Sequence, residues 1–278
     1  PAPFDYHRPD TVAQAAQLLA DFGDDAKVLA GGQSLVPMLA MRLAFFDNLV
    51  DISRLEELKG IERQGDWLRI AAGTTHATVG TDEQVRSAVP LLTRATPLIG
   101  HFQIRSRGTL GGSIAHADPA AEYPAVAVAL DAEMETVSPS GRRTVPARDF
   151  FSGVWETAMA SDEILTAVRF PVWSGRCGFA VEEFARRHGD FAIAGVAVAV
   201  ELDGDDRVRR CGIGLLGLSA TPRRATAAES AVTGRAVGEL SIDDVGELAM
   251  AGLDDIPADL QGSADYRRRV GAAMAAQA

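Results

Sequence analysis

Two glycine-paired segments constrain this chain more than any other feature of its sequence. They read Ala30-Gly31-Gly32-Gln33-Ser34 and Thr109-Leu110-Gly111-Gly112-Ser113, and both combine adjacent glycines with hydroxyl side chains. Adjacent glycines permit positive φ and remove side-chain bulk, so a backbone can fold tightly around an anion and direct its N–H groups at it. A tight turn explains one such segment equally well. Two in one chain predict a ligand with two phosphates held between them.

The first segment has the stronger local context. Residues 27–30 predict a short buried strand, and Ser34 is placed to N-cap a helix over residues 35–43. A helix N-terminus attracts anions because its unpaired N–H groups and its dipole point the same way. The alternative, that Gly31-Gly32 only turns a strand into a helix, remains open from the sequence.

The second segment precedes a run that contains His116, Asp118, Pro119 and Glu122. Asp118-Pro119 predicts an N-cap with proline at the first helical position, opening a helix that ends near residue 130. Glu122 would then lie one turn inside, where it accepts hydrogen bonds from sugar or ribityl hydroxyls or only complements the helix dipole. His116 and Asp118 lack the further ligands that a metal site needs, so we expect them to cap and pack.

Composition excludes several classes of function. The net charge of −11 argues against nucleic-acid binding. No run approaches the ~18 apolar residues of a membrane span. The first ten residues lack the pattern of a signal peptide, so we expect a cytoplasmic protein with reduced thiols. Cys177 and Cys211 are its only cysteines, too few to hold a 2Fe–2S cluster, which needs four thiolates.

The hydrophobic pattern predicts a mixed α and β chain. Before a linker at 171–175 it indicates helices over 11–22, capped by Asp10, and 83–99, a strand over 164–170, and hairpins over 58–72 and 132–146. After the linker it indicates three strands (178–186, 192–202, 208–218) and then three helices (222–232, 242–253, 264–277), which favours an antiparallel sheet backed by helices. Gly212, Gly214 and Gly217 match a dinucleotide-binding motif by letter only, because the apolar run continues through them as a strand. Arg267-Arg268-Arg269 is expected on a solvated helix face.

The sequence resembles a known family in the two glycine segments and in three other stretches. AGGQSLVPMLAMRL (30–43) and QIRSRGTLGGSIAHADPAAEYPAV (103–126) are similar to the two flavin-binding signatures of the medium subunit of molybdenum hydroxylases, the carbon monoxide dehydrogenase, quinoline 2-oxidoreductase and xanthine dehydrogenase family. FDYHRPDTVAQAAQLL near the start, DEILTAVRFP (162–171) and EFARRHGDFAIAGVAVAV (183–200) agree in order. The sequence departs at Ser106 and Ser113, where asparagine is common, and at Phe191, where tyrosine is frequent.

The resemblance implies an α+β fold. Residues 1–172 would form the two-lobed FAD-binding fold of the vanillyl-alcohol-oxidase and CO-dehydrogenase flavoprotein type, with a subdomain boundary near 55–60. Residues 176–278 would form a C-terminal domain with an antiparallel sheet backed by helices. FAD would be bound non-covalently. The molybdenum cofactor and the 2Fe–2S clusters would lie in a large and a small partner subunit, in a dimer of heterotrimers.

The resemblance also implies a set of cofactor-binding residues and no metal site or catalytic acid or base. The first phosphate cradle would consist of Leu29, Ala30, Gly31, Gly32, Gln33, Ser34 and Leu35, and the second of Thr109, Gly112 and Ser113. Glu122 would bond a cofactor hydroxyl, Ile164 and Leu165 would pack on the flavin or adenine, and Phe191 would lie near the isoalloxazine. Arg186, Arg187 and His188 would offset the charge of reduced flavin or simply line the surface.

The function implied is electron transfer by an FAD subunit, from the 2Fe–2S clusters of a partner to an external acceptor. The alternative enzyme is a self-contained FAD-dependent oxidase. It is disfavoured because the sequence shows no recognisable set of catalytic acid and base residues. A binding module, in which the glycine pairs are bare turns, would be colourless. The oxidised substrate would bind in another chain, so this sequence does not identify it.

Overall fold

The computed structural model describes residues 1–278, whose strands form three main sheets and one small ribbon. The strands are β1 Asp5–His7, β2 Ala26–Leu29, β3 Asn48–Asp51, β4 Ile61–Gln64, β5 Trp67–Ala71, β6 Glu133–Ser138, β7 Gly141–Pro146, β8 Phe151–Gly153, β9 Glu156–Thr157, β10 Ile164–Pro171, β11 Arg176–Phe184, β12 Ala194–Leu202, β13 Val208–Leu216 and β14 Arg223–Arg224. The helices are α1 Val12–Phe22, α2 Leu35–Ala40, α3 His76–Thr81, α4 Glu83–Ala88, α5 Pro90–Ala95, α6 Phe102–Arg105, α7 Leu110–His116, α8 Glu122–Ala129, α9 Ala147–Phe150, α10 Thr226–Val232, α11 Ile242–Ala249 and α12 Ala264–Gln277.

The first sheet is parallel, in the order β1-β3-β2, with α1 and α2 in its connections. Helix α1 buries Val12, Ala15 and Leu19 against it, which explains the apolar spacing of that segment. Thr11 caps α1, not Asp10, because the Thr11 side chain accepts from the Gln14 amide, whereas the Asp10 amide donates to the Gln14 side chain. The predicted strand before the first glycine pair is confirmed as β2.

The second sheet is antiparallel, in the order β4-β5-β10-β6-β7. Both predicted hairpins are confirmed, as β4–β5 and β6–β7, and β10 pairs with the inner strand of each. Successive side chains of a strand point to opposite faces. Accordingly Ile164 enters the core of the first sheet and Leu165 enters the largest core, which helices α3–α8 complete.

Three helix predictions need correction. The helix expected over 83–99 is broken into α4, α5 and a 3-10 turn, because Pro90 starts a new helix and Pro97 starts the turn. The helix expected from Asp118 begins at Glu122, since the Asp118 carboxylate bonds the Ala120 amide in a separate turn. Helix α2 ends at Ala40, short of residue 43.

The third sheet is antiparallel, in the order β11-β12-β13-β14, and its outer face carries α10–α12. The predicted antiparallel sheet backed by helices is therefore confirmed, although β14 was not predicted. Its inner face packs on α8, where a Cβ at Gly212 or Gly214 would lie 2.1 Å from a carbonyl oxygen of α8. These glycines lie within a strand and allow close packing, so rejecting a dinucleotide-binding motif is confirmed.

Arg267 is buried, contrary to the expected solvated face. Its guanidinium forms a bidentate ion pair with Asp259 and donates to the carbonyl of Gly217, which ties α12 to the end of β13. Both cysteines are free thiols. None of the twelve helices has the length and apolar character needed to cross a membrane.

Candidate functional site

The first glycine segment touches the two residues that directly precede the second. A Cβ atom at Gly31 would lie 2.2 Å from the carbonyl oxygen of Arg107 and 2.8 Å from the α-carbon of Gly108. No side chain fits at that distance, so glycine at 31 is required by the approach of the second segment. Gly31 and Gly108 are 77 residues apart in the sequence, which does not show this contact; the fold brings them together.

The first segment leaves its backbone donors free. The amide N–H groups of Gly31, Gly32, Gln33 and Ser34 donate no hydrogen bond within the protein. Gly32 has a φ of +72°, a conformation that glycine adopts without strain. Ser34 stands at the N-cap of α2, yet its hydroxyl makes no capping bond, contrary to the prediction. These free groups lie together at one turn, as an anion requires.

The second segment differs from the expected open loop, because it is the N-terminus of α7. Four of its five amides are already used: Leu110 donates to Thr74, Gly111 to Ala72, and Gly112 and Ser113 to the side chain and carbonyl of Thr109. The expectation that the glycine pair of this segment directs its N–H groups at a phosphate is therefore wrong, and only the Thr109 amide is free. Contacts from Thr109, Gly112 and Ser113 to a cofactor stay a prediction. The side-chain donor available for such a contact is the Ser113 hydroxyl.

His76 supports the second segment from beneath. Its ring Nε2 lies 2.8 Å from the Thr109 carbonyl, and its amide donates to the Gly108 carbonyl. The side chain is only 5% exposed, its Nδ1 has no partner, and burial lowers the pKa of His76 to about 4. The ring is therefore neutral at neutral pH, with its Nε2–H donating to Thr109.

A cavity of about 410 Å³ opens beside the two segments. Of its thirteen lining residues only Ala30 and Ile52 are hydrophobic, and none is acidic. Lys59 and Arg107 supply two cations, in a chain whose net charge is −11. Hydroxyl groups and glycines make up the rest of the wall: Gly31, Ser53, Gly60, Gly73, Thr74, Thr75, Thr78, Ser106 and Thr109. The cavity is thus suited to a polar, anionic ligand.

Sequence reasoning missed the segment from Ala72 to His76 and the cations Lys59 and Arg107. The segment 72–76 pairs with residues 108–111 through three backbone hydrogen bonds and so forms one wall of the cavity. Each cation directly precedes a glycine, Gly60 or Gly108, a pattern that could have indicated them.

Of the predicted cofactor-binding residues, only Ala30, Gly31 and Thr109 line this cavity. The others do not line it, although Gly32, Gln33, Ser34, Gly112 and Ser113 belong to the same two segments. Ile164 and Leu165 are 1% and 4% exposed and belong to the cores, so their contact with a cofactor stays a prediction. Phe191 is 65% exposed and therefore does not belong to a hydrophobic core. Leu29 and Leu35 flank the first segment in β2 and α2, both half-buried.

Glu122 is the first residue of α8, and burial raises the pKa of its carboxyl to about 8. Trp155 contacts both His116 and Asp118, which precede α8. Its indole ring stacks on the His116 ring, and its N–H donates to the Asp118 carboxylate. Arg186, Arg187 and His188 are exposed at the surface.

Comparison with known families accounts for the whole fold. Residues 2–173 match the FAD binding domain in molybdopterin dehydrogenase, and residues 179–278 match the CO dehydrogenase flavoprotein C-terminal domain. The chain belongs to this family of FAD-binding medium subunits of molybdenum hydroxylases, which are parts of multi-subunit oxidoreductases.

Individual relatives agree over almost the full length. The chain is 40% identical to the 6-hydroxypseudooxynicotine dehydrogenase complex subunit alpha of Paenarthrobacter nicotinovorans, over 97% of this chain and 91% of that protein. It superposes on carbon monoxide dehydrogenase from Hydrogenophaga pseudoflava with a TM-score of 0.96 and 38% identity, covering 100% of this chain and 96% of that one. The superposition on quinoline 2-oxidoreductase from Pseudomonas putida 86 has a TM-score of 0.92 and 35% sequence identity. It covers 100% of this chain and 95% of that one. The resemblance and the fold class expected from sequence are confirmed.

Proposed function

We propose that this chain is the electron-transferring FAD subunit of a molybdenum hydroxylase, and that the cavity between the glycine segments holds the diphosphate half of FAD. One observation carries the proposal: the turn whose amides at residues 31–34 are free contributes Gly31 to the wall of an acid-free cavity with two cations. A diphosphate carries the negative charge and the acceptor oxygens that such a lining would bind.

The residues present fit the cofactor. Gly31 and Gly32 keep the turn free of side chains, Lys59 and Arg107 offset phosphate charge, and the Ser34 and Ser113 hydroxyls are available as donors. Glu122 and Phe191 would meet the ribityl and isoalloxazine parts. We also propose that the FAD-binding domain spans 1–172 and the C-terminal domain 176–278.

Bound FAD would supply the redox chemistry that joins the 2Fe–2S clusters of a partner subunit to an external acceptor. Two observations support a role within a complex: the chain has only two cysteines, and no group of three His, Cys, Asp or Glu side chains is arranged for a metal. The partners would be a large molybdenum-cofactor subunit and a small 2Fe–2S subunit, in a dimer of heterotrimers in the cytoplasm.

Lys59→Ala tests the cavity assignment. Lys59 forms an exposed ion pair with Glu56, three residues earlier in the chain. Arg86 forms the same kind of ion pair with Glu83 but does not line the cavity, so Arg86→Ala is a matched control. Loss of one cation near a diphosphate should weaken FAD binding about fivefold, or ~1 kcal/mol. Equal FAD affinity of the two variants, by flavin fluorescence titration, would show that the diphosphate lies elsewhere.

A further inference from the structure

An exposed apolar surface adjoins the turn whose backbone amides are free. Helix α2 and the chain that follows it expose four large apolar side chains, which we call the α2 patch. They are Val36, Met41, Leu43 and Phe45, each between 50% and 67% exposed. Soluble proteins rarely expose large contiguous apolar surfaces, and such surfaces mark sites where another molecule binds.

Arg42 lies within the α2 patch in a conformation that glycine normally takes. Helix α2 ends in a Schellman motif, in which the Leu43 amide donates to the Met38 carbonyl. This motif gives Arg42 a φ of +57°, a region that a side chain disfavours. The Arg42 guanidinium is exposed and forms no hydrogen bond or ion pair within the chain. Folding of this chain alone therefore gives no reason for an arginine at position 42.

The composition of the α2 patch defines the surface that fits it. Arg42 is the only charged residue from Ser34 to Phe46, in a chain with 38 acidic residues. Methionine, phenylalanine and arginine are enriched in protein interfaces, whereas lysine and acidic residues are depleted. A complementary surface is apolar and presents a carboxylate or backbone carbonyls to one guanidinium.

The size of the α2 patch suits a protein partner. Side chains of this size, half to two-thirds exposed, each leave on the order of 100 Å² in water, or about 400 Å² in all. One partner contributes roughly 800 Å² to a standard interface, and the centre of that area is mostly apolar. The α2 patch is therefore large enough to form the centre of one such interface.

The position of the α2 patch indicates which partner binds there. A Cβ atom at Gly32 would lie 3.1 Å from Cγ2 of Val36, so the patch begins at the proposed cofactor turn. We propose that the α2 patch is the docking surface for the 2Fe–2S partner subunit, which covers it with an apolar face and an acceptor for Arg42. This inference rests on the proposed function. The electron donor must bind close to the cofactor, because electron-transfer rates fall steeply with distance.

Arg42→Gly separates docking from folding. Glycine removes the strain of the positive φ, so the isolated variant should unfold at the same urea concentration as the parent or a higher one. In the complex, the same variant should bind the 2Fe–2S subunit about tenfold more weakly, measured by sedimentation over a dilution series. Asp206→Gly is the matched control, because Asp206 is exposed with a φ of +58° outside the patch. A less stable Arg42→Gly chain whose complex binds the subunit normally would overturn the inference.

Leu43→Ser tests the apolar contact in the same assay. It should weaken binding of the 2Fe–2S subunit about tenfold or more, while the FAD content of the chain stays that of the parent. Leu260→Ser is the control, because Leu260 is an almost fully exposed leucine of the C-terminal domain. Equal loss of the subunit in both variants would show that the α2 patch has no special role and would overturn the inference.

Other occupants of the α2 patch give different results. Release of the large subunit alone by Leu43→Ser would overturn the inference. So would a dimer of the isolated chain that Leu43→Ser dissociates while the complex keeps its 2Fe–2S subunit. A parent complex without any 2Fe–2S subunit would contradict the proposed function itself. A parent complex that contains this subunit, and binds it equally well in Arg42→Gly and Leu43→Ser, would overturn the inference alone.

Discussion

Gly31 approaches Arg107 so closely that any Cβ at position 31 would lie 2.2 Å from the Arg107 carbonyl oxygen. This contact joins the turn with free amides to the segment that α7 and His76 hold in place. It also brings the cation Arg107 to the cavity wall. The proposed phosphate site therefore depends on a backbone contact between two distant parts of the chain.

Gly31→Ala should separate the two segments. Forcing a methyl group into backbone atoms costs about 1–3 kcal/mol of stability, and the displaced wall should bind FAD at least tenfold more weakly. Gly178→Ala is the control, because a Cβ at Gly178 in β11 meets nothing within 4 Å. Urea unfolding and FAD titration of both variants measure the effect. Unchanged FAD affinity in Gly31→Ala would show that the contact does not shape the site.

His76 should make the protein sensitive to acid. Its folded pKa of about 4 lies below the ordinary value of 6.5, so the unfolded chain binds the extra proton and stability falls as pH drops from 6.5 to about 4. The loss is on the order of 3 kcal/mol. His76→Gln keeps a donor for the Thr109 carbonyl without an ionisable ring, and should lack this component. If both proteins lose stability equally over that range, His76 is not the titrating group.

Phe191 should matter for the flavin and little for folding. Because Phe191 is exposed, Phe191→Ala should change the free energy of unfolding by no more than about 1 kcal/mol. Phe170→Ala, in the core, should lower it by about 3–5 kcal/mol. If Phe191 covers one flavin face, its truncation should speed the reaction of reduced flavin with oxygen and shift the flavin spectrum. Phe191→Tyr should be mild, because the ring remains. Unchanged reoxidation in Phe191→Ala would place the flavin elsewhere.

Sequence reasoning succeeded where a pattern is local. The hairpins β4–β5 and β6–β7 follow from turn residues between apolar runs, and α12 has the predicted bounds because Ser263 caps it. The family signature gave the fold class. What failed depended on tertiary contacts: the Gly111 amide of α7 is used because Ala72 supplies an acceptor, and Arg267 is buried because Asp259 and the Gly217 carbonyl receive it. Ala72 and Gly217 are distant in sequence from the residues they bind.

The two cations of the cavity also depend on tertiary contacts that the sequence does not show. Lys59 and Arg107 are ordinary surface-type residues by composition, and only the fold places both beside Gly31. Gly32 also has a role that sequence did not show. Its positive φ, with Val36 and Leu29 side chains within 3.3 Å of a Cβ, means that Gly32→Val would strain the turn even without FAD.

The isolated chain should not oxidise the substrate of the complex. Its two cysteines are too few for a 2Fe–2S cluster, and the proposed function places substrate oxidation at the molybdenum centre of a partner subunit. Removing this subunit should leave reduction of the molybdenum centre by substrate intact and stop steady-state transfer to the acceptor. Rapid-mixing spectroscopy and turnover assays of the complex with and without the chain measure both. Turnover by the chain alone at the rate of the whole complex would refute the subunit role.

The central claim is that this chain carries FAD, and release of its flavin tests that claim most directly. The purified chain, or the intact complex, is denatured in acid and the supernatant is separated by chromatography against FAD and FMN standards. We predict one FAD per chain and no FMN, since the cavity and the free amides of residues 31–34 are suited to a diphosphate. Recovery of FMN, or of no flavin from an intact complex, would contradict the account.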